Sequence, residues 1–393
     1  MTGFDPEDPV ALTQALVRCE SVTPHEGGAL TLLETVLAAR GFTCHRMTMR
    51  EEGTSDVENL YARIGSGKRV LCFAGHTDVV PTGDVSRWRH PPFGGVINDG
   101  FLYGRGTVDM KGGIAAWVAA LLRHVRLYGA GGDLGYSLLI TGDEEGPSIN
   151  GTVKVLDWMA ANGERIDYAV VGEPTNPERL GQEIKIGRRG SLTAEIVVSG
   201  KQGHVAYPHL AENPVPKLVR ILDRLSGHCF DRGNADFEAT NLEATVVRVD
   251  NTATNLIPAE ARAKVNVRYN TEWTRPRLEN EIRTLVAAAA ATCDARWDVT
   301  FSGTGDVFLT KPGPLVEAMV RAVEAVSGRT PALTTNGGTS DARFIQAWCP
   351  VIEYGLINAC AHHVDERVLV SDLTALRDSY ARFIADMSST ADT

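Results

Sequence analysis

The sequence predicts an α/β protein that carries an inserted, smaller α+β domain. Three observations lead there. Helix-period and strand-like runs alternate over the first ~185 residues. Strands with one wet face take over near Arg188, and α/β character returns from about Gly303.

In the first stretch, Pro9–Cys19 and Gly28–Arg40 have helical spacing. Asn59–Ile64, Arg69–Ala74, Tyr136–Thr141 and Tyr168–Val171 are short β-rich runs, with helix-like Gly112–Tyr128 and Gly151–Asn162 between the last three. Strands alternating with helices predict a mixed, largely parallel sheet flanked by helices. SLTAEIVVSGK, LEATVVRVD, ARAKVNVRYN and ARWDVTFSG then alternate with period two, and Asn213–Leu225 and Arg275–Ala291 are helical. Four strands and two helices predict a four-stranded antiparallel sheet with open edges that need covering. Pro314–Ser327 and Ser371–Met387 are read as helices, with Pro350–Tyr354 as a strand between them. The expected division is residues 1–187 and 303–393 for the larger domain and 188–302 for the insert.

The 393 residues allow two domains with real cores. Apolar residues make up 43% and charged residues 22%, the balance of a soluble globular chain. The formal charge is −10 with no block of Lys or Arg, which argues against nucleic acid or an anionic membrane as partner. MTGFDPEDPV lacks a basic stretch followed by an apolar one, so no signal peptide is expected, and no apolar run is long enough to span a bilayer. The 7 cysteines are scattered without a CxxC, which fits reduced thiols in a cytoplasm.

The chemistry lies where apolar runs end. VLCFAGHTDVVP places His76 and Asp78 after one predicted strand, LLITGDEEG places Glu144 and Glu145 after a second, and YAVVGEPT places Glu173 after a third. LYGRGTVDMKGG puts Asp109 in a Gly-rich loop that opens a helix, and NACAHHVDE adds His362 and His363. Taken singly, such a His or acid is more often a turn or cap residue than a ligand. Four of these segments share one grammar, apolar run, Gly, then His or acid, and in an open α/β sheet the carboxyl ends of strands converge on one crevice. Imidazoles and carboxylates gathered there call for a cation such as Zn2+. The surplus of acids suggests two ions with a bridging carboxylate, leaving one of Glu144 and Glu145 as a base. Asp78 is placed to accept the second N–H of the His76 ring. Gly104-Arg105-Gly106 does not have the layout of a phosphate loop.

GHTDVVPTGD, PPFGG, LYGRGTVDMKGG, DEEGPSINGT and VGEPT resemble the dinuclear-zinc amidohydrolases and peptidases that include acetylornithine deacetylase, aminoacylase and carboxypeptidase G. The resemblance spans nearly the whole chain. Within that family GRRGSL, GKQGHVAYPHLAENP, NGGTSDARF and NACAHHVDE favour a member that removes a succinyl group from a diamino acid; the alternative is an acetylornithine deacetylase or another N-acyl-amino-acid amidohydrolase.

The resemblance implies a zinc-peptidase-like catalytic domain and a function for each matching residue. Asp109 would bridge two zinc ions, His76 and Glu173 would complete one site, and Glu145 and His362 the other. His362 is selected over His363 by register with Asn358 and Glu366. Glu144 would be the general base and Asp78 the orienter of His76. His204 would reach from a partner subunit of a homodimer to polarise the scissile carbonyl. Arg188, Ser191, Tyr207, Asn255, Arg268, Thr339 and Asn358 would bind substrate, with Arg188 gripping a succinyl carboxylate. Cobalt is expected to be able to replace zinc.

Overall fold

Arg69–His76 is so uniformly apolar that both its faces must be covered, and it lies inside an eight-stranded sheet of the computed structural model, which describes residues 3–389. The strand order is Thr43–Met49, Val57–Ile64, Leu134–Thr141, Arg69–His76, Tyr168–Val171, Val351–Glu353, Glu183–Lys185, Ala332–Thr334. Leu134–Thr141, Arg69–His76, Tyr168–Val171 and Val351–Glu353 are parallel neighbours, so their carboxyl ends share one edge. The register sets His76 opposite Thr141 and Ala74 opposite Val171, which brings the loops that follow close together. The sheet is mixed, because Thr43–Met49, Val57–Ile64 and Leu134–Thr141 pair antiparallel.

Lys111–Tyr128 packs on this sheet, with Trp117 stacked on Phe73 at 4.8 Å between ring centres. Its first turn lies so near the strand end that a Cβ on Gly113 would sit 2.5 Å from the Gly172 carbonyl oxygen. Glycine is therefore required for the helix that follows Asp109 to approach the backbone that carries Glu173. Val370–Ser389 packs along the same helix, with Tyr380 edge-on to Trp117. A small three-stranded sheet pairs Arg367–Leu369 with Phe101–Tyr103, and so places the segment after His362 beside the segment before Asp109.

The smaller unit is a four-stranded antiparallel sheet in the order Asn241–Arg248, Glu260–Tyr269, Gly190–Ser199, Arg296–Gly305. Alternation along Gly190–Ser199 and Glu260–Tyr269 sends Leu192, Ala194, Ile196, Val198, Ala261, Ala263, Val265 and Val267 into one core. Helices Val215–Ser226 and Arg275–Ala291 add Leu218, Ile221, Leu278 and Ile282 to it. The edge strand Asn241–Arg248 leaves Val246 and Val247 exposed.

Among the described residues, proximity puts 3–186, 310–334 and 340–389 in the larger unit and 187–309 with 335–339 in the smaller one. The smaller unit runs past the expected limit at 302 because the strand Arg296–Gly305 continues beyond it and Phe308–Leu309 pairs with Gly187–Arg188. Segment 335–339 joins it through side-chain-to-backbone bonds: Thr335 Oγ1 donates to the Asp236 carbonyl and Arg188 Nη1 to the Asn336 carbonyl at 2.7 Å. Among the described residues, no helix is long and apolar enough to cross a membrane.

Candidate metal centre

Each ligand candidate inherits its position from the sheet edge. His76 is the last residue of its strand and is buried. Glu144 and Glu145 follow Leu134–Thr141, Glu173 follows Tyr168–Val171, and Asp109 immediately precedes the helix that begins with Met110 as its cap. His362 comes from the loop after the short helical turn Asn358–Cys360, with its backbone in the left-handed region at φ 63°. A non-glycine residue there is uncommon and is tolerated where surrounding contacts hold it.

These side chains converge around Asp109. Its Oδ1 is 3.2 Å from His76 Nε2 and its Oδ2 is 3.1 Å from His362 Nε2. Glu173 Oε1 lies 3.7 Å from His76 Nε2 on one side, and Glu145 Oε1 lies 2.7 Å from His362 Nε2 on the other. One carboxylate thus offers a separate oxygen to each of two His–Glu pairs. Donor atoms of His76, Glu144 and Glu173 all fall within 4.8 Å of one another, as do those of His76, Asp109 and Glu145. Of the His362–His363 pair, His362 faces Asp109 and Glu145, whereas the carbonyl of His363 accepts from Arg105. At 47% exposure the His362 side chain is the open side of the cluster, since His76 is 1% exposed.

Asp78 differs from expectation. The ring N–H at Nδ1 of His76 is met by the backbone carbonyl of Asp78 at 2.8 Å, while the nearer carboxylate oxygen is 3.6 Å away. The carboxylate is engaged elsewhere: Oδ1 accepts the Glu144 amide at 3.3 Å and Oδ2 the Glu145 amide at 3.0 Å. Asp78 therefore orients the turn that carries both glutamates, and fixes His76 through its main chain. Asp143 shapes the same turn, its Oδ2 accepting the amides of Ile149 and Asn150 at 2.8 and 2.7 Å.

The cluster is short of positive charge. Burial, then the like charges of Asp341, Glu145 and Asp109, push the Glu144 carboxyl up to about 8 against the pull of His76. Burial, with Asp109 and Glu144 nearby, likewise raises Glu173, and burial raises Asp78 to about 6. Burial opposes protonation of His76, but its bond to Asp109 and the surrounding acids outweigh that and raise it. Hydrogen bonds to Asp109 and Glu145 lift His362 to about 10. Arg343 lies 3.8 Å from Asp341. Two imidazole nitrogens among several buried carboxylates, with little counter-charge from Lys or Arg, are the donor set of a borderline divalent metal, and the residues present fit such a group.

A pH dependence follows for metal-stripped protein. A carboxylate whose folded pKa is raised keeps a proton that the unfolded chain has released, so stability falls as pH climbs from ~4.5 towards the folded value. A raised imidazole stabilises fully below ~6.5 and loses that contribution as pH rises through its folded pKa. Asp109 is lowered, because its bonds to His362 and His76 outweigh burial, and acts oppositely only in the acid range. The melting temperature of the stripped chain is therefore expected to fall between pH 5 and pH 8.5, and restored metal to flatten the trend. A stripped chain that gains stability over that window would contradict the charge-deficit account.

The expected substrate residues divide into groups. Ser191 and Arg268 are cross-strand partners in the smaller unit, and Arg188 and Thr339 lie on its Gly187–Arg188 strand and its 335–339 segment. His204, Tyr207 and Asn255 form a second group there: His204 is exposed with its ring 5.8 Å from Tyr207, and the Val205 amide donates to the Asn255 carbonyl at 3.0 Å. Asn358 is in the larger unit, its amide bonded to the Asn176 carbonyl at 2.8 Å. Asp341 was not singled out in the sequence, yet it is buried, accepts from Thr152 Oγ1 at 2.6 Å and raises Glu144 by its charge. At the head of the short helix Ala342–Ile345 it looks like an ordinary cap.

A family model for peptidase family M20/M25/M40 matches residues 72–386. The chain belongs to that family. It is similar to a succinyl-diaminopimelate desuccinylase of Methylorubrum extorquens (strain PA1), 54% identical over 379 residues that cover 96% of this chain and 98% of that one. Solved M20 structures share its fold. A metallo-carboxypeptidase of Sulfolobus solfataricus aligns with TM-score 0.78 at 17% identity, covering 98% of this chain and 100% of that one. A dinuclear metal binding peptidase of Bacillus subtilis aligns with TM-score 0.72 at 15% identity, covering 98% of each. This M20 chain is thus a metal-dependent hydrolase, and His76, Asp109, Glu144, Glu145 and Glu173 are the residues whose donor atoms lie close enough to hold a metal, with His362 beside Asp109 and Glu145.

Proposed function

We propose that this chain hydrolyses the amide bond of N-succinyl-LL-2,6-diaminopimelate, giving succinate and LL-2,6-diaminopimelate. The carrying observation is the placement of Asp109, one carboxylate oxygen toward each of two His–Glu pairs, with Glu144 beside them. The near full-length similarity to a desuccinylase supports the substrate. His76, Asp109 and Glu173 would hold one Zn2+ and Asp109, Glu145 and His362 a second, with Co2+ able to substitute. When bound, the metal pair supplies Lewis-acid chemistry, acidifying water and polarising the amide carbonyl.

The remaining work falls to side chains. Glu144 takes the proton of the attacking water and delivers it to the leaving amine. Asp78 fixes the direction of Glu144 through its amide. Arg188 receives the distal carboxylate of the succinyl arm, for which a planar guanidinium is suited. His204 donates to the developing oxyanion from the partner subunit of a homodimer. The exposed edge strand Asn241–Arg248, with Val246 and Val247 bare, supports pairing with a second copy. The unpaired cysteines fit a cytoplasmic location.

Amine release from N-succinyl-LL-2,6-diaminopimelate and from N-acetylornithine, each with stripped and zinc-restored protein, tests the reading. Zinc-dependent cleavage of the succinyl substrate is expected, with little of the acetyl one; the reverse preference would make the chain an acetylornithine deacetylase. His204→Ala is expected to keep its metal and lose roughly 10²- to 10³-fold in kcat, the loss typical of one oxyanion donor. Unchanged turnover in that variant would remove His204 from the mechanism.

A further inference from the structure

Arg105 and Glu366 are 261 residues apart, and both are almost completely buried. Arg105 Nη1 donates to Glu366 Oε2 at 2.7 Å and to the His363 carbonyl at 3.3 Å. Its Nη2 donates to the carbonyls of His362 at 3.2 Å and Pro81 at 3.3 Å, and the guanidinium lies 5.3 Å from the Trp88 ring centre. Glu366 Oε1 meanwhile accepts the amides of Val108 at 2.9 Å and Asp109 at 3.3 Å. A single ion pair therefore grips the backbone at both Asp109 and His362, and touches the loop that follows His76.

We propose that the Arg105–Glu366 pair is a positioning clamp that holds the Asp109 and His362 loops in ligating geometry before metal arrives. The chemistry favours this over general stabilisation. A buried ion pair is weak evidence for stability, since an apolar pair of similar volume often serves as well. Among the described residues Arg105 Nε has no hydrogen-bond partner, but apart from the bond between the two side chains the Nη1, Nη2 and Glu366 Oε1 atoms all engage main-chain groups, most of them in the Asp109 and His362 loops. His76 has its own anchor in the Asp78 carbonyl, so the clamp acts chiefly on the half of the centre that includes His362. Groups that orient ligands in this way change metal affinity by ~10- to 100-fold when removed.

The proposal rests on the metal reading above, and the test separates the two. Metal-stripped full-length protein is titrated with Co2+ by absorbance, for wild type, His362→Ala, Arg105→Lys, Glu366→Gln and the remote control Arg63→Lys. Arg105→Lys keeps the charge but loses the fork that reaches several carbonyls at once. Its expected effect is a ~10- to 100-fold weakening of the binding step that His362→Ala abolishes, with a smaller weakening of the other step, which shares Asp109 but keeps His76 anchored by the Asp78 carbonyl. Glu366→Gln should act at least as strongly. In folded variants, two unchanged steps, the result expected of Arg63→Lys, or equal weakening of both steps would overturn the clamp. Hydrogen exchange on the stripped wild-type chain decides the matter without variants. The Val108 and Asp109 amides should be protected as well as those of Arg69–His76, and rapid exchange there would also overturn it. A wild-type chain that takes up no Co2+ would refute the metal reading, while the exchange result would still judge the clamp.

Discussion

Glu144→Gln is expected to lower kcat by roughly 10²- to 10⁴-fold while leaving metal content and KM close to those of the wild type. The substitution keeps shape and removes the proposed proton acceptor. The five donor residues are untouched, so metal uptake should survive. A second signature distinguishes loss of a base from general damage. Ionised Glu144 sits among Asp341, Glu145 and Asp109, and burial with that repulsion raises its pKa to about 8. Replacing it with a neutral amide removes the repulsion wherever the carboxylate would ionise. Stripped Glu144→Gln should therefore melt above the stripped wild type at pH 8.5, and the advantage should vanish near pH 5. A variant less active yet more stable is the pattern of a residue kept for chemistry against the interest of the fold. Near-normal turnover would refute the base assignment, and a loss of metal would make Glu144 a ligand.

If Asp109 bridges two metals as proposed above, Asp109→Ala should do more than remove one ligand. Each of its carboxylate oxygens faces a different histidine, at 3.2 and 3.1 Å, so the methyl side chain leaves both halves of the centre short at once. Both metals are expected to be lost at micromolar concentrations, and hydrolysis should fall to background. Glu145→Ala offers the contrast: it touches the His362 half and should leave one binding step nearly intact. Metal content by elemental analysis reads the difference. If Asp109→Ala retains one tightly bound ion and measurable turnover, the two halves are independent and the shared-carboxylate description fails.

Much of the fold was legible because its signals are local. The uniformly apolar run ending in His76 and the strict alternation around Leu192–Val198 dictate a buried strand and a half-wet one. The grammar of apolar run, Gly, then His or acid also placed His76, Glu144, Glu145 and Glu173 correctly at strand ends, since parallel neighbours bring those ends together. What escaped depends on distant partners. Thr43–Met49, Glu183–Lys185 and Ala332–Thr334 are short or half-polar and become strands only by pairing with a neighbour. Asp78 was placed against the His76 ring because they are two residues apart, but its carboxylate turned to amides more than sixty residues away. Arg105 sits in a glycine-flanked tripeptide whose sequence points at most to a phosphate loop, and nothing nearby in the sequence names Glu366 as its mate.

The short segment 335–339 clings to the smaller unit although the residues on both its flanks belong to the larger one. The smaller unit is consequently not a cassette delimited by two cut points. A gene fragment encoding only 187–309 would express a sheet and its helices, but would lack the Asn336 carbonyl that holds Arg188 and the Thr339 that accompanies it. If Arg188 binds substrate as proposed above, transplanting substrate preference between relatives would have to move two separate stretches of sequence together, and a chimera that exchanged only the long one would pair one protein's arginine with another's loop.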